Sequence, residues 1–193
     1  MKLLGTLLAT MLLAGTAIAQ ELSNEACEKM LLKAEENPDP VLYDDCGFGD
    51  EVRAWNQWAP FATAHQMKRA TFELCRRYPN NAYGALYCDK AVEMNFGPAL
   101  LQRGEENLKS GNTKEALSFF NQAIKSGNLS QDEIQKITET LGFLYLDKNS
   151  SEYSPDSGIA LLTKAAANRS AVANNALGYL SYSGEYRIKK DDK

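Results

Sequence analysis

The sequence predicts an all-α protein built of stacked helical hairpins, and three observations lead there. Apolar residues recur at helical spacings, as in Ile134, Ile137, Leu141, Leu144 and Tyr145, which fall on one face. A spaced quartet, Lys90-Ala91, Ala99 and Gly104, returns as Lys164-Ala165, Ala173 and Gly178 with offsets 0, 1, 9 and 14. A third such glycine, Gly142, lies 38 residues after Gly104 and 36 before Gly178. A period in the middle thirties marks helical hairpins, each burying its apolar face on its neighbours. No convincing strand interrupts the pattern.

Residues 1–19 read as a secretory signal peptide. Lys2 supplies the positive start, Leu3 to Leu13 is almost wholly apolar, and Ala17-Ile18-Ala19 is a small-x-small cleavage pattern before Gln20-Glu21. The apolar core is too short for a membrane span. The mature protein is therefore expected to be periplasmic or secreted, with no membrane span. Its 174 residues suit one domain or a short repeat array.

Residues 20–61 form an N-terminal segment ahead of the hairpins at 62–193. A first helix is expected over 23–36, with Ala26, Met30, Leu31 and Ala34 on one face. Asn37-Pro38-Asp39-Pro40 stops it. Asp44 to Glu51 reads as a Gly- and Asp-rich loop, after which Trp55, Trp58 and Phe61 share a helical face suited to packing beneath the first hairpin.

Four cysteines, Cys27, Cys46, Cys75 and Cys88, lie in the first half of the mature chain. An even count in an exported protein implies disulfides, with three connectivities possible. Pairing of sequence neighbours, Cys27–Cys46 and Cys75–Cys88, is expected because such bonds staple local hairpins. A metal centre is not: there is no CxxC, and His65 is the only histidine. No cofactor is expected either.

The hairpins follow in order. Thr63–Arg77 and Asn81–Met94 flank Tyr78-Pro79-Asn80, and Ala99–Ser110 pairs with Thr113–Ser126. Asn112 with Glu115, and Ser130 with Glu133, have capping-box spacing. Asn149 to Ser154 is a polar loop, Pro155 opens another helix, and a last helix spans about 171–183 and ends at Gly184. Within the second pair, Gly104, Ala116, Phe120 and Ala123 are spaced 12, 4 and 3; Gly142, Gly158, Leu162 and Ala165 are spaced 16, 4 and 3. Small residues let two helices approach, and one large side chain fills the gap.

On these residues Gly104 to Ala123 resembles a tetratricopeptide repeat. Pro155-Asp156-Ser157-Gly158-Ile159 to Lys164-Ala165-Ala166 resembles a Sel1-like repeat, and Asn175-Ala176-Leu177-Gly178-Tyr179-Leu180 to Gly184 is similar to the start of another. The resemblance covers roughly 62–193, most closely from 99 on. It implies a right-handed α-solenoid that binds a protein or peptide partner in a groove lined by the first helix of each pair. Carried over by register, the partner-binding positions are Leu101, Glu105 and Leu108; Glu139, Phe143 and Leu146; and Asn175, Tyr179 and Tyr182. About half should stay exposed, the others packing between hairpins. The spacing of the third pair places the next second-helix pattern at position 194, so the last helix is expected to offer a stripe for a partner or for self-association. The charged tail Lys189 to Lys193 is expected to fray.

Nucleic acid is not expected as a partner. Lys2 is one of 21 basic residues, leaving 20 against 25 acidic ones, a net charge of −5 without a basic face. No catalytic residues stand out. Any Ser–His or Cys–His system must use His65; Glu105-Glu106 are helix neighbours that do not share a face; Gly47-Phe48-Gly49 precedes no strand-to-helix unit. The alternative to an adaptor is an enzyme or enzyme inhibitor whose pocket joins Trp55, Trp58 and His65 beside the Asp44–Glu51 loop.

Overall fold

The computed structural model describes residues 22–36 and 39–184. The expected signal peptide, the Asn37-Pro38 part of the helix stop and the charged tail lie outside the described residues. Among those described, the chain is helical throughout and contains no strand.

Helix α1 (Asn24–Ala34) is capped by Ser23, whose side chain accepts from Ala26 N. Its buried face is Cys27, Leu31 and Ala34. Met30, expected on that face, is instead 41% exposed: one residue along at 100° per residue carries it over the edge of the stripe. The Asp44–Glu51 loop is shorter than the sequence suggests, because α2 (Pro40–Asp45) forms first, with Pro40 near its start and Asp39 accepting from Val41 N. The turn that follows uses Gly47 at φ +75°, and buries Phe48 completely.

The aromatic stretch departs from a regular helix. α3 (Glu51–Arg53) runs through a π-helical segment, Ala54–Trp58, into α4 (Ala59–Ala64). Pro60 has no N–H for the carbonyl four residues back, and its ring crowds that carbonyl. The helix widens just before it, with Ala59 N bonding Ala54 O. The widening separates the three rings expected on one face. Trp58 is fully buried against Phe48 and Phe61, at centroid distances of 5.5 and 6.1 Å. Trp55 turns instead toward Tyr78, Tyr83 and Tyr87.

The helix expected over Thr63–Arg77 is broken. α4 ends at Ala64, Gln66 adopts φ +51°, and Met67 N closes the turn on Ala62 O at 2.9 Å. α5 (Lys68–Arg77) then starts, and the Glu35 carboxylate, from the end of α1, accepts from Arg69 N and Ala70 N at 3.0 Å. A carboxylate at a helix start satisfies orphan donors and complements the helix dipole. α6 (Ala82–Glu93), capped by Asn81, completes the pair.

Disulfides join Cys27 to Cys46 and Cys75 to Cys88. The first ties α1 to the end of α2; the second ties α5 to α6. Bonds of this kind fit an oxidising, non-cytoplasmic environment. They also consume the thiols a structural metal would need.

α7 (Gly97–Lys109) packs on α8 (Thr113–Ser126), α9 (Gln131–Leu146) on α10 (Pro155–Ala167), and α10 on α11 (Ala171–Ser183). The small residues sit where helices close. A Cβ on Gly104 would fall 2.5 Å from the Phe120 ring, one on Gly142 would fall 2.9 Å from Leu162, and one on Gly158 2.7 Å from the Gly142 carbonyl oxygen. The capping box at Ser130 and Glu133 is present. The one expected at Asn112 is absent, because the Asn112 amide turns back to Asn107 Oδ1 at 3.4 Å.

The core is a series of clusters along the chain. The first, around Trp58, Tyr43, Phe48 and Leu74, spans residues 27–87 without dividing at residue 61. Others follow around Phe96, around Leu100, Phe120 and Leu141, and around Leu162, Ala173 and Leu180.

Candidate groove between α9 and α11

The site is assembled by the α9–α10–α11 connections. Ser130 fixes the start of α9, and α9 ends at Asp147, whose carboxylate accepts from Asn149 N at 2.9 Å. The polar loop then closes on Tyr145 O through Ser154 N at 2.8 Å. α10 lies close on α9 because Gly158 meets Gly142 without side chains between them. A tight turn with Arg169 at φ +67° leads into α11, where buried Ser170 accepts from Ala173 N at 2.9 Å. α11 is thereby returned alongside α9.

An open groove of about 690 Å³ results, walled by Phe143 and Leu146 of α9 and by Val172, Asn175, Ala176 and Tyr179 of α11. Asp147, Lys148 and Asn149 form a polar rim. Phe143 is 43% exposed, Val172 52% and Tyr179 67%. Large apolar side chains left this open in one concavity are the usual raw material of a docking surface. α11 carries no Asp, Glu, Lys or Arg, so nothing charged on this wall resists desolvation.

Four of the nine positions reached by register, Phe143, Leu146, Asn175 and Tyr179, line this groove. The others do not. Leu101 is buried in the Phe120 cluster and Leu108 packs against it. Glu105 pairs with Lys136 of α9 at 2.5 Å, and Glu139 accepts from Gln135 Nε2 at 3.2 Å. Tyr182, 92% exposed, lies beyond the groove. Val172 and the Asp147–Asn149 rim were not anticipated, although Val172, Asn175 and Tyr179 follow helical spacing and could have been read as one stripe.

The expected joint pocket of Trp55, Trp58 and His65 does not form. Trp58 is enclosed, with Nε1 donating to Cys46 O at 2.8 Å, and exposed His65 stacks on Phe61 with centroids 4.5 Å apart. The shift in helix spacing at the π-segment is what parts the two indoles. Among the described residues there is no cluster of three or more His, Cys, Asp or Glu able to hold a metal ion, and no helix long and apolar enough to cross a membrane.

The chain matches no known family model and no curated protein.

Proposed function

We propose that the protein is a secreted or periplasmic adaptor, not an enzyme, which holds a segment of a partner protein in the groove between α9 and α11. In this reading the helix pairs stack as a right-handed α-solenoid of Sel1-like and tetratricopeptide-like hairpins. The close glycine contacts at Gly104, Gly142 and Gly158 support that stacking. The observation that carries the proposal is the convergence of Phe143, Leu146, Asn175 and Tyr179, selected by register alone, on one open apolar groove. Apolar walls with an amide at Asn175 and a polar rim suit the apolar face of an amphipathic peptide. The two disulfides support the exported location.

The test is affinity for a partner first captured by the wild-type protein and then purified. Removing two exposed rings in Phe143→Ala with Tyr179→Ala forfeits about 1–2 kcal/mol each, hence a combined loss of about 100-fold in Kd. Circular dichroism should be unchanged, since neither ring belongs to a core cluster. Wild-type affinity in the folded double variant would reject the groove.

A further inference from the structure

A second cleft, independent of the groove, lies at the other end of the protein. The π-segment and α4 form one wall and α6 the other, enclosing about 710 Å³. Trp55, Tyr83, Leu86 and Tyr87 line it, with Tyr83 62% and Leu86 48% exposed. The Trp55 ring centroid lies 5.7 Å from both Tyr83 and Tyr87, and the planes are inclined by 41° and 46°. Rings inclined in this way leave wedge-shaped slots between them, not one flat platform. The Tyr87 ring is fixed: its hydroxyl reaches Ala59 O at 3.1 Å and Thr63 Oγ1 at 3.1 Å.

Two polar features point into the same space. Pro60 cannot donate to the carbonyl of Asn56, four residues back, so that acceptor at the cleft wall lacks its helical partner. Of the ten lining residues only Lys90 is charged, and its Nζ sits 4.3 Å from the Tyr87 ring centroid. The cleft therefore offers slots for small rigid rings, one acceptor and one cation.

We propose that this cleft binds a proline-rich segment in the polyproline II conformation, with an acidic residue beside its prolines. Such a segment has three residues per turn, no internal hydrogen bonds and little entropy left to lose, and its rings dock in aromatic-lined grooves. The inclined rings of Trp55, Tyr83 and Tyr87 take the prolines, the Asn56 carbonyl takes the N–H of an intervening residue, and Lys90 takes the carboxylate. A saccharide fits less well, since it stacks on an open ring face and calls for an array of side-chain amides and carboxylates that this wall lacks.

The test uses the full mature chain and two synthetic peptides, an oligoproline interrupted by one glutamate and the same peptide with lysine in that place. Trp55 is the reporter: the only other tryptophan, Trp58, is fully buried. The glutamate peptide should change Trp55 fluorescence saturably and bind at least tenfold more tightly than the lysine peptide. Lys90→Glu should reverse that preference, and Tyr83→Ala should weaken both peptides at least fivefold with helicity intact. Phe143→Ala with Tyr179→Ala should leave peptide binding unchanged, which separates this cleft from the α9–α11 groove. Absence of saturable binding, an unchanged preference in Lys90→Glu, or saturable binding of chitotriose in place of the peptides would overturn the proposal.

Discussion

Substituting alanine at Gly104 and at Gly178, which occupy the same place in the spaced quartet, should shift stability in opposite directions. A Cβ on Gly104 would lie 2.5 and 2.6 Å from Phe120 Cε1 and Cδ1. Carbon atoms prefer about 3.5–4.0 Å, so helix and ring must part by about 1 Å. Phe120 is 1% exposed and has nowhere to swing. Overpacking of this kind costs about 1–3 kcal/mol, against about 1 kcal/mol gained when alanine replaces glycine inside a helix. Gly104→Ala should therefore lose about 1–2 kcal/mol. At Gly178 no atom lies within 4 Å of the added Cβ, so Gly178→Ala keeps the helix-propensity gain of up to about 1 kcal/mol. The assay is urea unfolding followed by far-UV circular dichroism and by fluorescence, comparing whole curves because clustered cores can unfold in steps. Phe120→Leu added to Gly104→Ala should recover part of the loss through their coupling. If Gly104→Ala stabilised the protein as Gly178→Ala does, the close approach of α7 and α8 would be wrong.

Two further outcomes follow from the N-terminal core. Closing loops with sequence separations of 13 and 19 residues should contribute about 3 kcal/mol per disulfide; Cys75→Ser with Cys88→Ser should lower the urea midpoint accordingly, and reduction of wild type should lower it further. Tyr43 Oη is buried without a hydrogen-bond partner among the described residues, so Tyr43→Phe should be neutral or stabilising by about 1 kcal/mol at pH 7. Burial, with Glu35 nearby, raises the Tyr43 pKa well above the ordinary tyrosine value. Above about pH 10 the unfolded state then releases a proton the folded state keeps, and stability falls with rising pH. Tyr43→Phe should flatten that alkaline loss in denaturation curves collected from pH 8 to 11.

Much of the helical layout was legible because it is written locally. α8 and α11 follow from a regular apolar stripe and from glycines at positive φ, Gly127 and Gly184, just past their ends. The Ser130 capping box needs only residues three apart. The disulfides were legible because each joins elements adjacent in sequence. What escaped depends on tertiary context. α2 is six residues long and stands on its Asp39 cap and the Cys27–Cys46 bond. The break before α5 rests on Glu35, some 34 residues away, and the π-segment on a proline whose effect is felt upstream. The groove was half legible. Register alone reached Phe143 and Tyr179, but it also gave Leu101, which the Phe120 core absorbs, and it could not give the rim, which depends on how the 147–154 loop folds.

The adaptor reading is tested most directly by position-specific photo-crosslinking in the native envelope. A photoreactive residue would replace Tyr179 or Phe143 in the groove, or Ile124, which is 37% exposed on α8 and lines none of the clefts described. The account predicts one discrete crosslinked partner from positions 143 and 179 and none from 124, with the signal competed by unmodified wild-type protein. The same partner captured equally from position 124, or no crosslink from the two groove positions, would contradict it.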